Sequence, residues 1–200
     1  GLIGTDHLCP ETIARRFGDR SGTLVAPTLA YGMSQFHLGF AGSITLKPST
    51  LAAVTHDIVA SLAATGFTRI YFLNGHGGNA PANSFATEWM VQHPTVQVKF
   101  HDWWRSPRTW ARVKEIDADA SHASWMENFP WTRLADTTMP EEHKVLPNRA
   151  GQATLVGAAL RNHLGDGNFG GWYQRPDTEM LEIWQIAVAE TRELIENGWE

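Results

Sequence analysis

Apolar positions Leu51, Val54, Ile58 and Leu62 recur at three- and four-residue spacing, the stripe of an amphipathic helix that enters at Ser49 as N-cap and stops at Gly66. Directly after it, residues 69–73 form an uninterrupted β-branched and aromatic run, which predicts a buried strand of a parallel sheet. A helix over 81–92 and a strand over 96–100 continue the alternation. Further helices are predicted over 10–17, where Pro10 suits a first turn and Gly18 a stop, and over 106–116, 121–134, 150–164 and 177–196. The last carries Met180, Ile183, Trp184, Ala187 and Leu194 on one side. A short strand is predicted over 23–26. Residues 165–176 are too glycine-rich for regular structure, and the glycine, serine and aromatic text of 27–48 reads as a functional loop. No repeat or linker divides the chain, so the pattern predicts one layered α/β domain over residues 1–200 with a mainly parallel sheet. Ligands of such sheets bind beyond the carboxyl ends of the strands, which points to the peptides after Leu73 and after Phe100.

Composition narrows the chemistry. The chain has no apolar run near the roughly 20 residues of a membrane-spanning helix, so no membrane partner is expected. Its formal charge of −5, with scattered Lys and Arg, argues against nucleic acid. Cys9 is the single cysteine, which removes internal disulfides and thiolate zinc knuckles and fits a reducing, cytoplasmic setting. Nine histidines are many for 200 residues, and imidazole is the commonest metal ligand, so a metal site is sought. The opening Gly1-Leu2-Ile3-Gly4 has neither an initiator methionine nor a preceding strand and reads as cut into.

The sharpest local signal is Asn74-Gly75-His76-Gly77-Gly78-Asn79, where glycines allow a tight turn and close approach while His76 is presented at a strand end. His76 is read as a metal ligand, or as a turn residue bonded to a carbonyl. Asp6, just ahead of a helix, is either an N-cap or a ligand. His122 and Glu127, five apart at a predicted helix start, meet in one cavity only if the first turn is irregular; alone, Glu127 reads as an exposed carboxylate. His37 in the aromatic loop is a substrate contact, and Trp103, Trp104 and Trp125 are candidates to wall a pocket. His56, His93, His143 and His163 are assigned no role, and Trp89, Trp131 and Trp184 are placed in the core. No G-x-S-x-G elbow occurs and Cys9 has no evident base, which disfavours an acyl-enzyme.

Taken in order, Gly4-Thr5-Asp6, Tyr31-Gly32 with His37 and Phe40-Ala41-Gly42-Ser43-Ile44-Thr45-Leu46, and the Asn74 to Asn79 loop make the chain resemble the creatininase family over most of its length. The resemblance implies a three-layer α/β/α fold with a mainly parallel sheet, one or two divalent ions, and a homo-oligomer, often a hexamer. Zn2+ is the first candidate, with Mn2+ or Fe2+ also suited to oxygen and nitrogen ligands. It implies that Asp6 and His76 are metal ligands, that Glu127 is a late carboxylate ligand, and that His122 is the catalytic proton shuttle. His37, Trp104 and Trp125 are then the expected substrate contacts. The family's first strand and its Glu-x-His-Gly segment are expected upstream of Gly1. Trp125, Met126 and Asn128 stand where the family has small or acidic residues, so the pocket is expected to differ from that of creatinine-cleaving members. The implied reaction is hydrolysis of a small polar cyclic amide by a metal-activated water. A cyclic inosose-type ketone or a formylamino-pyrimidine is an alternative within the family, and a non-catalytic homologue serving assembly or binding is an alternative of another class.

Overall fold

The computed structural model describes residues 4–145 and 152–199. Six helices and two strands run in the order α1 (Thr5–Ser21), α2 (Pro48–Ala64), β1 (Arg69–Asn74), α3 (Pro81–Gln92), β2 (Gln97–Asp102), α4 (Pro107–Ile116), α5 (Gly157–Leu164) and α6 (Asp177–Asn197). β1 and β2 pair in parallel, from Arg69 opposite Gln97 to Asn74 opposite Asp102. Among the described residues these are the two strands of the sheet.

Alternation along each strand sorts the helices into layers. Ile70, Phe72 and Val98 point to one face and pack with Val59, Ala86 and Trp89 of α2 and α3. Leu73 points the other way, into a core built from Cys9 and Ile13 of α1, Val113 of α4, and Met180, Ile183 and Ala187 of α6. Helices therefore cover both faces, the α/β arrangement expected from the sequence. No described helix is long and apolar enough to cross a membrane.

α6 is tied to α4 by a buried carboxylate. Glu190 accepts the backbone N–H groups of Arg108 and Thr109, at 2.8 and 2.7 Å, and the Thr109 hydroxyl at 2.6 Å. Those N–H groups belong to the first turn of α4, where a helix has no internal acceptors and favours a negative charge. Glu190 thus fixes α4, and with it the cavity wall that α4 supplies.

Several expected elements differ. α1 begins at Thr5 and keeps Pro10 inside it, because Cys9, Ile13 and Phe17 recur on a buried face that extends the helix both ways. Residues 23–26 lie in no strand, since no described strand pairs with their backbone, and Leu24 and Val25 are exposed. The predicted helix over 121–134 is replaced by two short 3-10 turns, Trp125–Glu127 and Pro130–Thr132. Ala123 adopts φ of 57°, outside the helical region, and the Trp125 N–H bonds to the Trp172 carbonyl at 2.8 Å instead of a helical neighbour. The helix predicted over 150–164 reduces to Gly157–Leu164 after a 3-10 turn at Gln152–Thr154, and residues 150–151 lie outside those described.

Candidate active site

α1 and the loop after β1 meet at one point, and both sequences are fitted to the contact. Pro10 lacks the N–H that would otherwise bond the Asp6 carbonyl inside α1. Gly75 packs over that carbonyl and the Pro10 ring, where a Cβ would overlap both. Gly78 likewise lies against the Met33 carbonyl and the His76 ring. Asn74 at the strand end locks the loop: its amide donates to the His76 carbonyl at 2.8 Å and to Asp102 at 2.7 Å, and its Oδ1 accepts the Asn79 amide at 3.1 Å. Asn79 in turn accepts the Met33 N–H at 2.9 Å, which ties the aromatic loop to the same turn.

This fixed turn puts His76 Nδ1 2.7 Å from Asp6 Oδ2. The pair lacks hydrogen-bond alignment, and Nδ1 is buried without a hydrogen-bond partner. The two atoms are near enough for one cation, which sits about 2.0–2.2 Å from such donors, to touch both. The N and O donor set suits Zn2+, Mn2+ or Fe2+. Asp6 thus lies in the first turn of α1 without capping it by a side-chain hydrogen bond.

Two further histidines flank the pair. The His37 ring lies 6.1 Å from His76 and 5.3 Å from His122, and His76 and His122 are 6.2 Å apart, centre to centre. Ser34 Oγ contacts His37 Nδ1 at 3.2 Å, while His37 Nε2 is buried without a partner. Burial, reinforced by the two neighbouring imidazoles, pushes the His37 pKa down to about 4. His122 goes the other way. Burial alone would lower its pKa, but the Glu127 carboxylate 3.4 Å from Nδ1, aided by Asp6, carries it up to about 9. The surroundings thus push the two neighbouring rings in opposite directions, His37 towards the neutral form and His122 towards the charged one. Phe169, which the sequence did not single out, stands edge-on to His122 at 4.9 Å.

Asp6, His76, His122, Glu127, His37 and Trp104 all line one cavity of about 950 Å3. Glu127 turns towards its own segment, accepting the Ala123 N–H at 3.0 Å, and among the described residues it does not close a three-ligand group with Asp6 and His76. Trp125 is a correction: it is fully buried in the α1–α4–α6 core and does not wall the cavity. Its indole N–H donates to Asp117 Oδ2 at 3.0 Å, and an indole interior to the core satisfies its one polar atom in this way.

Among the described residues, Asp117, Asp119 and His143 do bring ligand-type atoms within 4.8 Å of one another. Asp117 is nonetheless saturated by N–H donors: Trp125 Nε1 and the Trp172 backbone on Oδ2, the Asp119 backbone and His143 Nε2 on Oδ1, each at 3.0 Å. A cation there would face those hydrogens, so the group is an anchor. His143, to which the sequence assigned nothing, is part of it. No spacing signal in the sequence links 117 to 143 and 172.

Cys9 also borders the cavity, beneath Asp6. Burial, and then the Glu127 and Asp6 carboxylates, push its pKa up to about 12 despite a contact with the Thr5 hydroxyl. The thiolate is the reactive form. The folded protein is therefore expected to resist iodoacetamide at pH 8, with alkylation appearing only on unfolding; rapid native-state labelling by mass spectrometry would contradict the burial.

The family model described as creatinine amidohydrolase matches residues 1–195. The chain is similar to the creatinine amidohydrolase of Pseudomonas putida, 36% identical over 83 residues, which are 39% of this chain and 32% of that protein. It is also similar to the mycofactocin precursor peptide peptidase of Mycolicibacterium smegmatis (strain ATCC 700084 / mc(2)155), 39% identical over 148 residues, 72% of this chain and 54% of that one. The matches thus span from about a third to about half the length of these relatives. In three dimensions the chain resembles a crystal structure of creatinine amidohydrolase (creatininase), with a TM-score of 0.72, 21% identity and coverage of 98% of this chain and 83% of that one. A structure titled as the manganese form of creatininase gives a TM-score of 0.72 and 21% identity, covering 98% and 84% of the two chains. A mutant creatininase described as Zn-Zn type gives 0.72 and 20%, covering 98% and 83%.

Proposed function

The chain belongs to the creatininase family, and from that premise we propose that it is a metal-dependent hydrolase of an amide C–N bond. The observation that carries this reading is the 2.7 Å approach of His76 Nδ1 to Asp6 Oδ2 without hydrogen-bond alignment. Asp6 and His76 hold the divalent cation, and Glu127, on the same cavity wall, is the further carboxylate available to it. A divalent cation supplies a water whose pKa is lowered from ~15.7 towards ~7 and a polarised carbonyl. The remaining work belongs to the chain. Water adds its oxygen to the amide carbon, the C–N bond breaks, and the leaving nitrogen takes up a proton. His122, held by the Glu127 carboxylate at 3.4 Å, is the donor of that proton. His37, neutral, and Trp104 orient the substrate.

The names of the relatives, an amidohydrolase and a peptidase, both denote amide cleavage. Zinc and manganese, the metals of two structural neighbours, are the first ions to supply. A cytoplasmic setting and a homo-oligomer belong to the same proposal.

The test is a panel of creatinine, a short peptide, a formylamino-pyrimidine and an oxidised inositol, each with Zn2+ or Mn2+ added to the protein. Metal-dependent opening of the creatinine ring, or release of an amine from the peptide, is expected. Turnover confined to the inositol ketone, which has no leaving nitrogen, or less than one tightly held ion per chain with no turnover, would overturn the amide reading.

A further inference from the structure

The turn that presents His76 is held by a residue outside the cavity. Asp102 ends β2 directly opposite Asn74, the last residue of β1. Its Oδ1 accepts the Asn74 amide at 2.7 Å, and only 15% of its side chain is exposed. The cavity lining starts with the residues that follow, Trp103 and Trp104, so Asp102 stands behind the wall and not in it.

Asn74 is buried and fully used. A primary amide offers two hydrogens and two lone pairs on its oxygen. One hydrogen goes to the His76 carbonyl at 2.8 Å and the other to Asp102, while the oxygen accepts the His76 N–H at 3.3 Å and the Asn79 amide at 3.1 Å. One side chain therefore grips both polar groups of the His76 backbone, and any rotation of its amide disturbs His76. The grip reaches further, because Asn79 accepts the Met33 N–H at 2.9 Å and carries it to the segment before His37. Asp102 is the one charged partner in this set, and a hydrogen bond to an ionised group is about twice as strong as one between neutral groups. Its other oxygen lies 3.6 Å from Arg105 Nη1, beyond hydrogen-bond distance, and the Arg105 side chain is 71% exposed, so that ion pair adds little.

Resting on the reading of Asp6 and His76 as ligands of a divalent cation, we propose that Asp102 is a positioning residue for that metal centre: through Asn74 it fixes the turn that brings His76 to Asp6. The turn needs such a restraint because of its own composition. Gly75, Gly77 and Gly78 surround His76, and glycine has the largest backbone freedom to lose. A ligand that must be ordered when the cation arrives costs affinity, whereas one ordered beforehand does not. Asp102 supplies that order as a hydrogen-bond acceptor; its charge strengthens the bond but is not what the cation meets.

The Zn2+ affinity of the full chain, measured by competition with a fluorescent chelator, tests this without turnover. Asp102→Leu removes the acceptor and is expected to weaken Zn2+ binding by about 10–100-fold, the range typical when a group supporting a metal ligand is lost. Asp102→Asn loses the same charge but keeps a carbonyl oxygen for the Asn74 amide, and is expected to recover most of that affinity. Arg105→Gln is expected to leave it unchanged. The visible spectrum of the Co2+-loaded chain, which reports ligand geometry, should follow the same order, altered in Asp102→Leu and close to wild type in Asp102→Asn. Thermal unfolding of the metal-free variants checks that each is folded, and Asp102→Ala repeats the measurement if leucine is not accommodated. Unchanged affinity in a folded chain without the acceptor would overturn the proposal. So would equal losses in Asp102→Leu and Asp102→Asn, because the charge and not the acceptor would then matter, or a loss of the same size in Arg105→Gln, which would assign the effect to the ion pair. Failure of the underlying reading looks different: a wild-type chain that holds no Zn2+ contradicts the metal centre itself, and the proposal falls with it.

Discussion

Replacing His76 with alanine is expected to lower kcat/KM for amide hydrolysis by about a thousandfold or more, because the metal's charge stabilisation is worth several kcal/mol and each 1.36 kcal/mol is tenfold in rate. The same variant is expected to lose no more than about 1 kcal/mol of stability, since the ring makes no hydrogen bond through Nδ1 that the fold relies on. Elemental analysis distinguishes the cause. Loss of bound cation together with loss of turnover, with thermal unfolding little changed, is the expected pattern. Unchanged turnover would end the role given to His76. Turnover lost while the cation stays bound would reassign the ring to substrate or proton handling. Asp6→Asn should behave alike, because the amide keeps the shape of the carboxylate and removes its charge.

Removing the Asp117 carboxylate is expected to be the most damaging change to stability. Asp117→Ala leaves the Trp125 indole N–H and the Trp172 backbone N–H buried without acceptors, together with His143, and stripping one partner from a buried ionic group costs about 3–5 kcal/mol. Chemical unfolding at pH 7 measures it; a loss below about 1 kcal/mol would mean that the anchor carries little. Asp117→Asn tests the charge alone. Burial by itself would raise the Asp117 pKa, but the hydrogen bonds from His143, Trp172 and Asp119 outweigh it and hold the carboxyl below its ordinary value. A depressed native pKa means that the unfolded chain binds protons first as pH falls. The contribution is present above the unfolded value near ~3.9 and is lost as pH drops through the lower native one. The wild type should therefore lose stability more steeply than Asp117→Asn below about pH 4. Equal slopes would remove Asp117 from the acid response. Because Trp125 sits inside the 121–127 segment, loosening it also displaces His122 and Glu127.

The parts of the fold legible in the sequence are those whose stabilising contacts are periodic. Of the stripe predicted for α2, Leu51 is buried and Val54, Ile58 and Leu62 are half-buried, the most buried line running instead through Thr55 and Val59, while Ile70 and Phe72 alternate with Leu73 across β1. α3 and α6 follow the predicted spans to within a residue or so. Where local text and tertiary contacts compete, the text misleads. Residues 121–134 have helical composition, yet Ser121 bonds the Gly170 carbonyl, Trp125 the Trp172 carbonyl and Asn128 the Tyr173 carbonyl, so the chain there is shaped by the distant 170–173 loop. That irregular path is also what lets His122 and Glu127, five residues apart, approach within 3.4 Å.

The order of motifs along the chain determined the family, the parallel sheet and the identities of Asp6, His76, His37 and Trp104 around one cavity, because a glycine-bounded histidine at a strand end leaves a signature within a few neighbouring residues. Only the tertiary structure decided that Trp125 belongs to the core, that Asp117 and His143 are an anchor, and that His122 meets Glu127 while His37 meets Ser34. The physical reason is range. Periodicity and turn chemistry act over a few residues and are written locally, whereas burial, charge pairing and hydrogen-bond saturation depend on groups tens of residues apart that meet only when the chain has folded.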